Sequence, residues 1–160
     1  MPGSPYKGRI RVRVSGLLIR DEALLMIRMR SPVTGRTVWL PPGGGVKFGE
    51  TAEEGLVREF REETGLQIEV GSLRHVNELV APPFHALEFY FDVTGMGGEP
   101  SLGSDPEHPD SGQIMEELRF IPVEELESYS EPIAPDYIRT DFAAEQRAGK
   151  EGISYSPEHR

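Results

Sequence analysis

The N-terminal part of the chain alternates apolar and charged residues in a regular way. In residues 9–19, three aliphatic side chains alternate with three arginines. A period of two predicts a β-strand with one buried face and one solvated face. An acidic pair then marks a turn, so residues 23–29 are predicted to return as the second strand of a hairpin. Residues 38–40 predict a short third strand, which leads into a run of prolines and glycines at 41–45 that is expected to be a loop.

The second half of the chain contains further strand-like segments and two helical ones. Strands are predicted at residues 67–70, 73–79, 84–93 and 114–120. A short helix is predicted to open at residues 122–126, and a final helix covers 136–148 with Gly149 as its stop. Residues 95–112 combine Gly, Pro, Ser and Asp without an apolar period, which predicts a long loop. Residues 150–160 are polar and are expected to form a loose tail.

The segment between the third and fourth predicted strands carries helix signals at both ends. Thr51 and Glu54 have the spacing of a capping box, and Gly65 suits the left-handed position after the last turn. Successive residues of an α-helix are rotated by about 100°. That rotation gathers the apolar side chains into one stripe, made by Ala52, Leu56, Val57 and Phe60. We expect this stripe to face the core.

Three carboxylates of the same helix, Glu59, Glu62 and Glu63, have the spacings i, i+3 and i+4. They therefore share one face, where like charges cost an isolated helix about 0.2–0.5 kcal/mol per pair. Glu59 and Glu63 fall at the edge of the apolar stripe, and Glu62 lies further round. A solvated acidic face, the common alternative, would place its charges on the opposite side with Glu54 and Arg61. Because a divalent cation would turn the repulsion into a gain, the pattern predicts a metal site on one helix.

Composition narrows the class of protein. A chain of 160 residues, 37% of them hydrophobic, is large enough for one domain with a core, predicted at residues 1–149 and followed by the polar tail. The formal charge of −10 argues against a nucleic-acid polymer as partner, because such a partner requires a basic surface. No apolar run has membrane-spanning length and no cysteine is present, so we expect a cytoplasmic protein without membrane contact or disulfides.

The stretch GGVKFGETAEEGLVREFREETGL resembles the signature of the Nudix hydrolases, G-x5-E-x7-R-E-U-x-E-E-x-G-U, in which U is a bulky apolar residue. The fixed positions are filled by Gly44, Glu50, Arg58, Glu59, Phe60, Glu62, Glu63, Gly65 and Leu66. Lys47 departs from the pattern of many members, which carry an acidic residue there. The departure changes the charge near the substrate and leaves the metal positions intact.

The resemblance implies the fold class and the cofactor. The expected fold is α/β (α+β), namely a Nudix-like α/β/α sandwich with a mixed sheet. The expected activity is hydrolysis of a phosphoanhydride bond in a small-molecule nucleotide, with Mg²⁺ or Mn²⁺ bound by oxygen ligands. Members of the family are often dimers, so a homodimer is also considered, and the loop at 95–112 is expected to border the substrate pocket.

The resemblance also assigns roles to residues of the signature. The expected metal ligands, which are also the expected catalytic carboxylates, are Glu59, Glu62 and Glu63. The carbonyl group of Gly43 is a further expected ligand. Arg58 is expected to orient the glutamates, since it lies four residues before Glu62. Glu50 is expected to fix the glycine-rich loop or a metal-bound group. The general base stays open between Glu59 and an acid in a downstream loop.

Further site residues rest on weaker signals. Relatives often carry one more metal carboxylate where Glu116 and Glu117 stand, but adjacent strand residues face opposite ways, so only one of them can point to the site. An exposed charge on an edge strand explains the pair equally well. Substrate contacts are expected from Gly44, Gly45, Phe48, Arg11 and Arg28. Solvated strand faces explain most arginines, and core packing explains most aromatic residues.

The leading functional prediction is a metal-dependent pyrophosphohydrolase that cleaves a nucleoside diphosphate linked to another moiety. ADP-ribose or a sugar nucleotide is favoured, because Pro82 stands sixteen residues past Leu66, where relatives that cleave ADP-ribose often carry a proline. A simple turn explains that proline equally well. One alternative is a nucleoside triphosphate pyrophosphohydrolase. An alternative of another class is a non-catalytic nucleotide-sensing module, against which the complete glutamate set argues.

Overall fold

Eight strands and two α-helices form the part of the chain that the computed structural model describes, residues 5–30, 35–103, 114–149 and 152–160. The strands in chain order are β1 Ile10–Arg20, β2 Ala23–Arg30, β3 Thr37–Leu40, β4 Gly43–Gly45, β5 Ile68–Ala81, β6 Phe84–Gly95, β7 Ile114–Pro122 and β8 Ser154–His159. Helix α1 spans Ala52–Thr64. A 3-10 turn at Val123–Glu125 and a π-helical turn at Ile138–Phe142 precede helix α2, Ala143–Ala148. The predicted mixed α+β fold is confirmed.

The sheet consists of two groups of strands that share the β1–β2 hairpin. In one group β4, β1, β6, β5 and β8 lie side by side, and in the other β3 and β7 flank β2. The β1–β6 and β5–β8 pairs are parallel, whereas the remaining pairs are antiparallel. The sheet is therefore mixed, as predicted. Strand β1 lies between β4 and β6 and so connects the glycine strand to the rest of the sheet.

Helical segments cover opposite faces of this sheet. Leu18 of β1 packs in one apolar cluster with Phe60 of α1, and its neighbour Leu17 packs in the other cluster with Phe142 of the C-terminal helical segment. Because adjacent strand residues point to opposite faces, the two clusters define the outer layers of an α/β/α sandwich. Gly16 lets α1 approach closely, since a Cβ atom there would lie 2.4 Å from the Phe60 ring.

One strand before α1 and one strand after it differ from the sequence-based expectations. The glycine run, expected as a loop, forms β4 because its backbone pairs with Arg13, Val14 and Ser15 of β1. The predicted strands at 67–70 and 73–79 form one strand, β5, whose register against β6 shifts between residues 70 and 75. Both differences arise from backbone pairing between strands, which does not depend on an apolar pattern.

The prediction of a loose C-terminal tail is wrong for residues 154–159. These residues form β8, which pairs in parallel with β5 from His75 to Val80. Its side chains alternate between half-buried and exposed, so the strand gains its order from the open edge of β5 rather than from an apolar face. A domain division at residue 149 stays a prediction.

The segment that follows β6 contacts the C-terminal end of α1. The backbone amide groups of Ser101 and Gly103 donate hydrogen bonds to the carbonyl oxygens of Thr64 and Glu63, at 2.9 and 2.8 Å. Residues 104–113, which make up most of the predicted loop, lie outside the described residues. Within the described ranges, no helix is long and apolar enough to cross a membrane.

Candidate functional site

Helix α1 is fixed at both ends by the residues that the sequence indicates. Thr51 Oγ1 accepts a hydrogen bond from the Glu54 amide at 3.1 Å, and Glu54 Oε2 accepts one from the Thr51 amide at 3.2 Å. Gly65 ends the helix with φ of 72°, in the left-handed region that glycine adopts without strain. The predicted capping box is confirmed. The side chains of the intervening turns therefore project in defined directions.

Two carboxylates of α1 are almost fully buried. Glu59 and Glu63 are 1% and 2% exposed, whereas the side chain of Glu62 is 19% exposed. The position predicted for Glu59 and Glu63 at the edge of the apolar stripe is confirmed. Because burial of a charge is costly unless it is paired and hydrogen-bonded, these two side chains require close polar partners.

Arg58 provides such contacts to several carboxylates. Its Nη1 atom donates to Glu59 Oε1 at 2.9 Å and to Glu62 Oε2 at 3.3 Å. Its Nε and Nη2 atoms donate to the two carboxylate oxygens of Glu50 at 3.1 and 2.6 Å. Nη2 also donates to the Gly45 carbonyl at 3.0 Å. The planar guanidinium thus joins α1, the loop before it and strand β4, as only a fork of several N–H donors can.

The charges of this group reinforce one another. The hydrogen bond from Arg58 lowers the pKa of Glu50, and the backbone N–H of Lys47, 2.7 Å from Glu50 Oε1, lowers it further against the opposing effect of burial. The hydrogen bond to Glu50 in turn raises the already high pKa of Arg58, with the contact to Glu59 adding to it. Both partners are therefore charged at neutral pH.

Strand β4 leaves no room for a side chain at two of its positions, Gly44 against α1 and Gly43 against β1. The Gly43 amide donates to Glu63 Oε1 at 2.8 Å. A Cβ atom on Gly44 would lie 2.5 to 2.7 Å from the carboxylate atoms of Glu59. A Cβ atom on Gly43 would lie 2.0 Å from the Val14 carbonyl oxygen. The glycine run is therefore the wall against which the two buried carboxylates are packed.

The donor set of this site suits a hard divalent cation. Carboxylates and backbone carbonyls are the ligands that Mg²⁺ and Mn²⁺ prefer. Glu50, Glu59 and Glu62 all contact one guanidinium, so negative charge is in excess. Across the described residues, no three His, Cys, Asp or Glu side chains already stand in an arrangement that could hold an ion. In the structure Glu59 instead contacts Arg58, and Glu63 accepts a hydrogen bond from the Gly43 amide. A bound cation would compete with these two donors for the carboxylates.

A cavity of about 700 Å³ opens beside Gly45. Its lining includes Tyr6, Arg11, Val12, Gly45, Lys47 and Phe48. The Arg11 guanidinium stacks on the Tyr6 ring with 3.8 Å to the ring centroid, and burial, aided by the charge of Arg13, lowers the pKa of Arg11. Phe48 is fully exposed. The structure thus brings together three of the predicted substrate-binding residues, Gly45, Phe48 and Arg11, next to the carboxylate group.

The other candidates cluster around strands β2 and β7. Arg28 lies 3.1 Å from Glu131 and 3.8 Å from Glu116. Glu116 also accepts a hydrogen bond from Arg30, and Glu117 pairs with Arg119 of its own strand at 2.5 Å. The structure therefore gives both acids arginine partners on β2 and β7. Metal binding by either of them stays a prediction, as does substrate binding by Arg28.

Two polar residues near the site, Glu88 and Asn77, were not singled out from the sequence, and a third, Arg13, is there only one of several arginines that could contact phosphate. The three residues lie on adjacent strands, and the Glu88 carboxylate accepts hydrogen bonds from the side chains of Arg13 and Asn77. From the sequence alone, Arg13 is explained as part of the solvated, charged face of a strand. No sequence pattern marks Asn77. Only the pairing of β1, β6 and β5 brings them together.

Residues 9–141 match the NUDIX domain family model. The ADP-ribose pyrophosphatase of Methanocaldococcus jannaschii is 39% identical over 97 residues, which is 59% of this chain and 56% of that protein. A MutT-like protein of Streptomyces ambofaciens is 35% identical over 84 residues, 52% of this chain and 53% of that protein. The chain therefore spans about half the length of these curated relatives.

Solved structures share the fold. The MutT NUDIX hydrolase from Burkholderia pseudomallei has a TM-score of 0.66 at 27% identity, covering 86% of this chain and 98% of that one. A NUDIX hydrolase from Nitrosomonas europaea has a TM-score of 0.70 at 18% identity, covering 89% and 92%. At that lower identity the similarity concerns the fold alone.

Proposed function

This chain belongs to the NUDIX family, as its signature predicted, and from that premise we propose that it is a metal-dependent pyrophosphohydrolase. Its substrate would be a nucleoside diphosphate linked to another moiety. The observation that carries the proposal is the packing of Glu59 and Glu63 against the glycine strand while Arg58 holds Glu59, Glu62 and Glu50. A solvated acidic helix face would neither be buried nor require glycines opposite it.

Each residue of the group has a distinct task in this proposal. Glu59, Glu62 and Glu63, together with the Gly43 carbonyl, would hold Mg²⁺ or Mn²⁺. When bound, the metal neutralises the diphosphate and activates water. Arg58 keeps the carboxylates of Glu59 and Glu62 on the side of the glycine strand. The proton acceptor stays open between Glu59 and an acid in a downstream loop.

Glu50 supports the group from the loop before α1. It binds Arg58 through both carboxylate oxygens and accepts the Lys47 amide. A Cβ atom on Gly55 would lie 3.0 Å from Glu50 Oε1, so α1 leaves room for this carboxylate at its first turn. Glu50 thereby joins the loop that carries Phe48 to the helix that carries the expected metal ligands.

ADP-ribose or a sugar nucleotide is the favoured substrate. The relative named ADP-ribose pyrophosphatase supports this choice, and the cavity beside Gly45 offers a guanidinium and an exposed aromatic ring, suited to phosphate and base or sugar. The MutT-like relative supports the alternative, a nucleoside triphosphate pyrophosphohydrolase. A nucleotide-sensing module without turnover is the third reading, and a sensor has no need for the complete glutamate set.

A nucleotide panel assayed with Mg²⁺ tests the proposal. Purified protein is incubated with ADP-ribose, UDP-glucose and the nucleoside triphosphates, and the products are separated by chromatography. ADP-ribose should yield AMP and ribose phosphate, whereas a triphosphate would yield a monophosphate and pyrophosphate. Full turnover in excess EDTA would contradict metal dependence. Binding of nucleotides without any product would support the sensing module instead.

A further inference from the structure

A row of polar side chains crosses the sheet on the face opposite α1. Arg13 of β1 and Asn77 of β5 are both register partners of Glu88 of β6, and Gly45 of β4 is the partner of Arg13 on its other side. Arg13 Nη1 donates to Glu88 Oε2 at 3.1 Å, and Asn77 Nδ2 donates to Glu88 Oε1 at 2.9 Å. The carboxylate of Glu88 is therefore held from both sides.

Two atoms of this row are left without partners. Asn77 is 1% exposed, and its Oδ1 atom is buried without a hydrogen bond to any described residue. The Nε atom of Arg13 is also buried, and it too has no hydrogen-bond partner among the described residues. Buried polar atoms are normally paired, because leaving them unpaired is costly. Arg13 and Glu88 keep 24% and 12% of their side chains exposed, so the row can be reached from solvent at its β1 and β6 end.

The row begins at the candidate metal site. The Gly45 carbonyl accepts from Arg58 Nη2 at 3.0 Å, and Gly45 also lines the cavity that contains Arg11. Neighbouring strands are about 4.8 Å apart, so Glu88 lies roughly 10 Å from Gly45 along the row. Among the described strands β4 pairs with β1 alone, so a diphosphate bound at β4 can pass around this edge of the sheet, and its sugar would come within reach of Glu88 on the face opposite α1.

We propose that Glu88 binds the vicinal hydroxyl groups of a sugar in the substrate. The inference rests on the proposed function, since it concerns the same substrate. Hydroxyl groups can donate to the remaining lone pairs of the Glu88 carboxylate and accept from the exposed N–H groups at the end of the Arg13 side chain. Asn77 is a positioning residue, because its amide N–H group fixes the carboxylate of Glu88. Its Oδ1 atom is an acceptor at the buried end of the row. The sugar is either the nucleoside ribose or the sugar on the far side of the diphosphate.

The wild-type enzyme alone tests the proposal. The steady-state kinetics of ADP-ribose are compared with those of two analogues, each lacking the 2-hydroxyl of one of the two riboses. We expect kcat/KM to fall at least about 10-fold for one analogue, because a site built to bind a hydroxyl rejects a substrate without it. The analogue that loses activity identifies the sugar. If both analogues are hydrolysed as well as ADP-ribose, the proposal is wrong.

The variant Glu88→Gln connects the effect to this residue. It keeps the size of the side chain and should raise KM for ADP-ribose about 10-fold while the analogue without the recognised hydroxyl is affected far less, because that analogue cannot make the contact. Glu78→Gln is the matched control, since Glu78 follows Asn77 on β5 and so faces the other side of the sheet. An equal loss with every substrate would assign Glu88 a purely structural role and overturn the proposal.

A binding experiment separates failure of this inference from failure of the proposed function. If no nucleotide is hydrolysed, the proposed function fails, and titration calorimetry with ADP-ribose and both analogues still measures recognition of the hydroxyl groups. A Kd at least about 10-fold lower for ADP-ribose than for one analogue supports the row as a sugar site. Equal Kd values, or no binding of ADP-ribose, overturn it.

Discussion

A buried arginine, Arg74, and a partly buried one, Arg58, each hold carboxylates, but they do so in different ways. Arg74 of β5 donates to Asp92 of β6 at 2.9 Å and to Glu145 of α2 at 3.1 Å, and the Tyr137 hydroxyl also donates to Glu145 at 2.8 Å. Arg58 instead holds carboxylates from its own helix and from the loop just before it. The two carboxylates of the Arg74 group come from separate elements, whereas those of the Arg58 group come from α1 and the loop just before it.

The difference distinguishes a structural ion network from a candidate site. In the Arg74 group, one carboxylate is 39% exposed and the other has a second donor, so solvent and hydrogen bonds balance the charge. In the Arg58 group, Glu59 is nearly fully buried, lies close to other carboxylates of α1 and packs against the glycines of β4. Three carboxylates share one guanidinium here, and a bound cation would offset their mutual repulsion, which is why the second group is the candidate site.

The largest expected effect follows removal of one carboxylate charge from α1, the helix that carries Arg58. Glu63→Gln keeps the hydrogen bond from the Gly43 amide, because the carboxamide oxygen can accept it, but removes a metal-binding charge. Turnover should fall by about 10²- to 10⁴-fold, the range for loss of a key catalytic group. Stability in metal-free buffer should be equal or slightly higher, since a like-charge neighbour of Glu59 is gone.

The control for that experiment lies on the same helix. Glu54→Gln keeps its capping contact with Thr51 and should leave turnover unchanged. Turnover is measured with the substrate found in the nucleotide panel, and stability by urea unfolding. Equal losses at positions 54 and 63 would mean that the functional face of α1 has been assigned wrongly.

A pair of arginine variants tests the comparison directly. Arg58→Ala should lower the free energy of unfolding by roughly 3 kcal/mol, because it leaves the buried Glu59 carboxylate without its cation. Arg74→Ala should lower it by about 1–2 kcal/mol, because Asp92 and Glu145 are partly exposed and lose only a hydrogen-bond donor. Millimolar Mg²⁺ should restore part of the stability of the Arg58 variant, since a cation that binds the folded state shifts folding toward it. The Arg74 variant should not respond. An equal response of both variants in urea unfolding would remove the distinction drawn between the two groups.

Acidification should report on the Arg58 group. The folded-state pKa of Glu50 is lowered, chiefly by Arg58, so its stabilisation is present above the ordinary pKa of a glutamate and is lost as the pH falls through the lowered value. Glu50→Gln should cost about 1.5 kcal/mol at neutral pH and should flatten this acid-dependent loss. Unfolding is measured between neutral pH and pH ~3. An acid profile identical to that of the wild type would show that Glu50 is not coupled to folding.

Alkaline conditions should report on the Arg74 group, with the smallest effect. Burial, followed by the hydrogen bond to Glu145, raises the pKa of Tyr137. Its stabilisation is therefore present below the ordinary pKa of tyrosine and is lost as the pH rises beyond it. Tyr137→Phe should cost about 1 kcal/mol at neutral pH and weaken the alkaline loss. The exposed Tyr155, replaced in the same way, should change nothing. Equal alkaline profiles for the two variants would contradict this assignment.

The parts of the fold that could be predicted from sequence are those with local causes. Strand β1 shows alternation, and α1 carries its own caps at Thr51 and Gly65. Strand β4 could not be found, because three glycines have no side chains to form a pattern. Strand β8 could not be found either, since its polar residues are ordered by pairing with β5, about eighty positions earlier in the chain.

The candidate site shows the same division. The contact between Arg58 and Glu62 follows from helical spacing, and burial of Glu59 follows from the helical rotation. The contact of Arg58 with Gly45 requires the glycine run to return beside α1, and no spacing rule encodes it. Arg13 and Glu88 are 75 positions apart in the chain, so only the parallel pairing of β1 with β6 makes them partners.

Gly44 offers a way to separate position from charge. Even the single methyl group of Gly44→Ala would occupy the space of the Glu59 carboxylate, 2.5 Å from its carbon atom. That substitution would change no acidic or basic residue and would still push the Glu59 carboxylate away from β4. Saturation mutagenesis of the chain should therefore show that Gly44, which has no functional group of its own, tolerates substitution as poorly as the acids beside it.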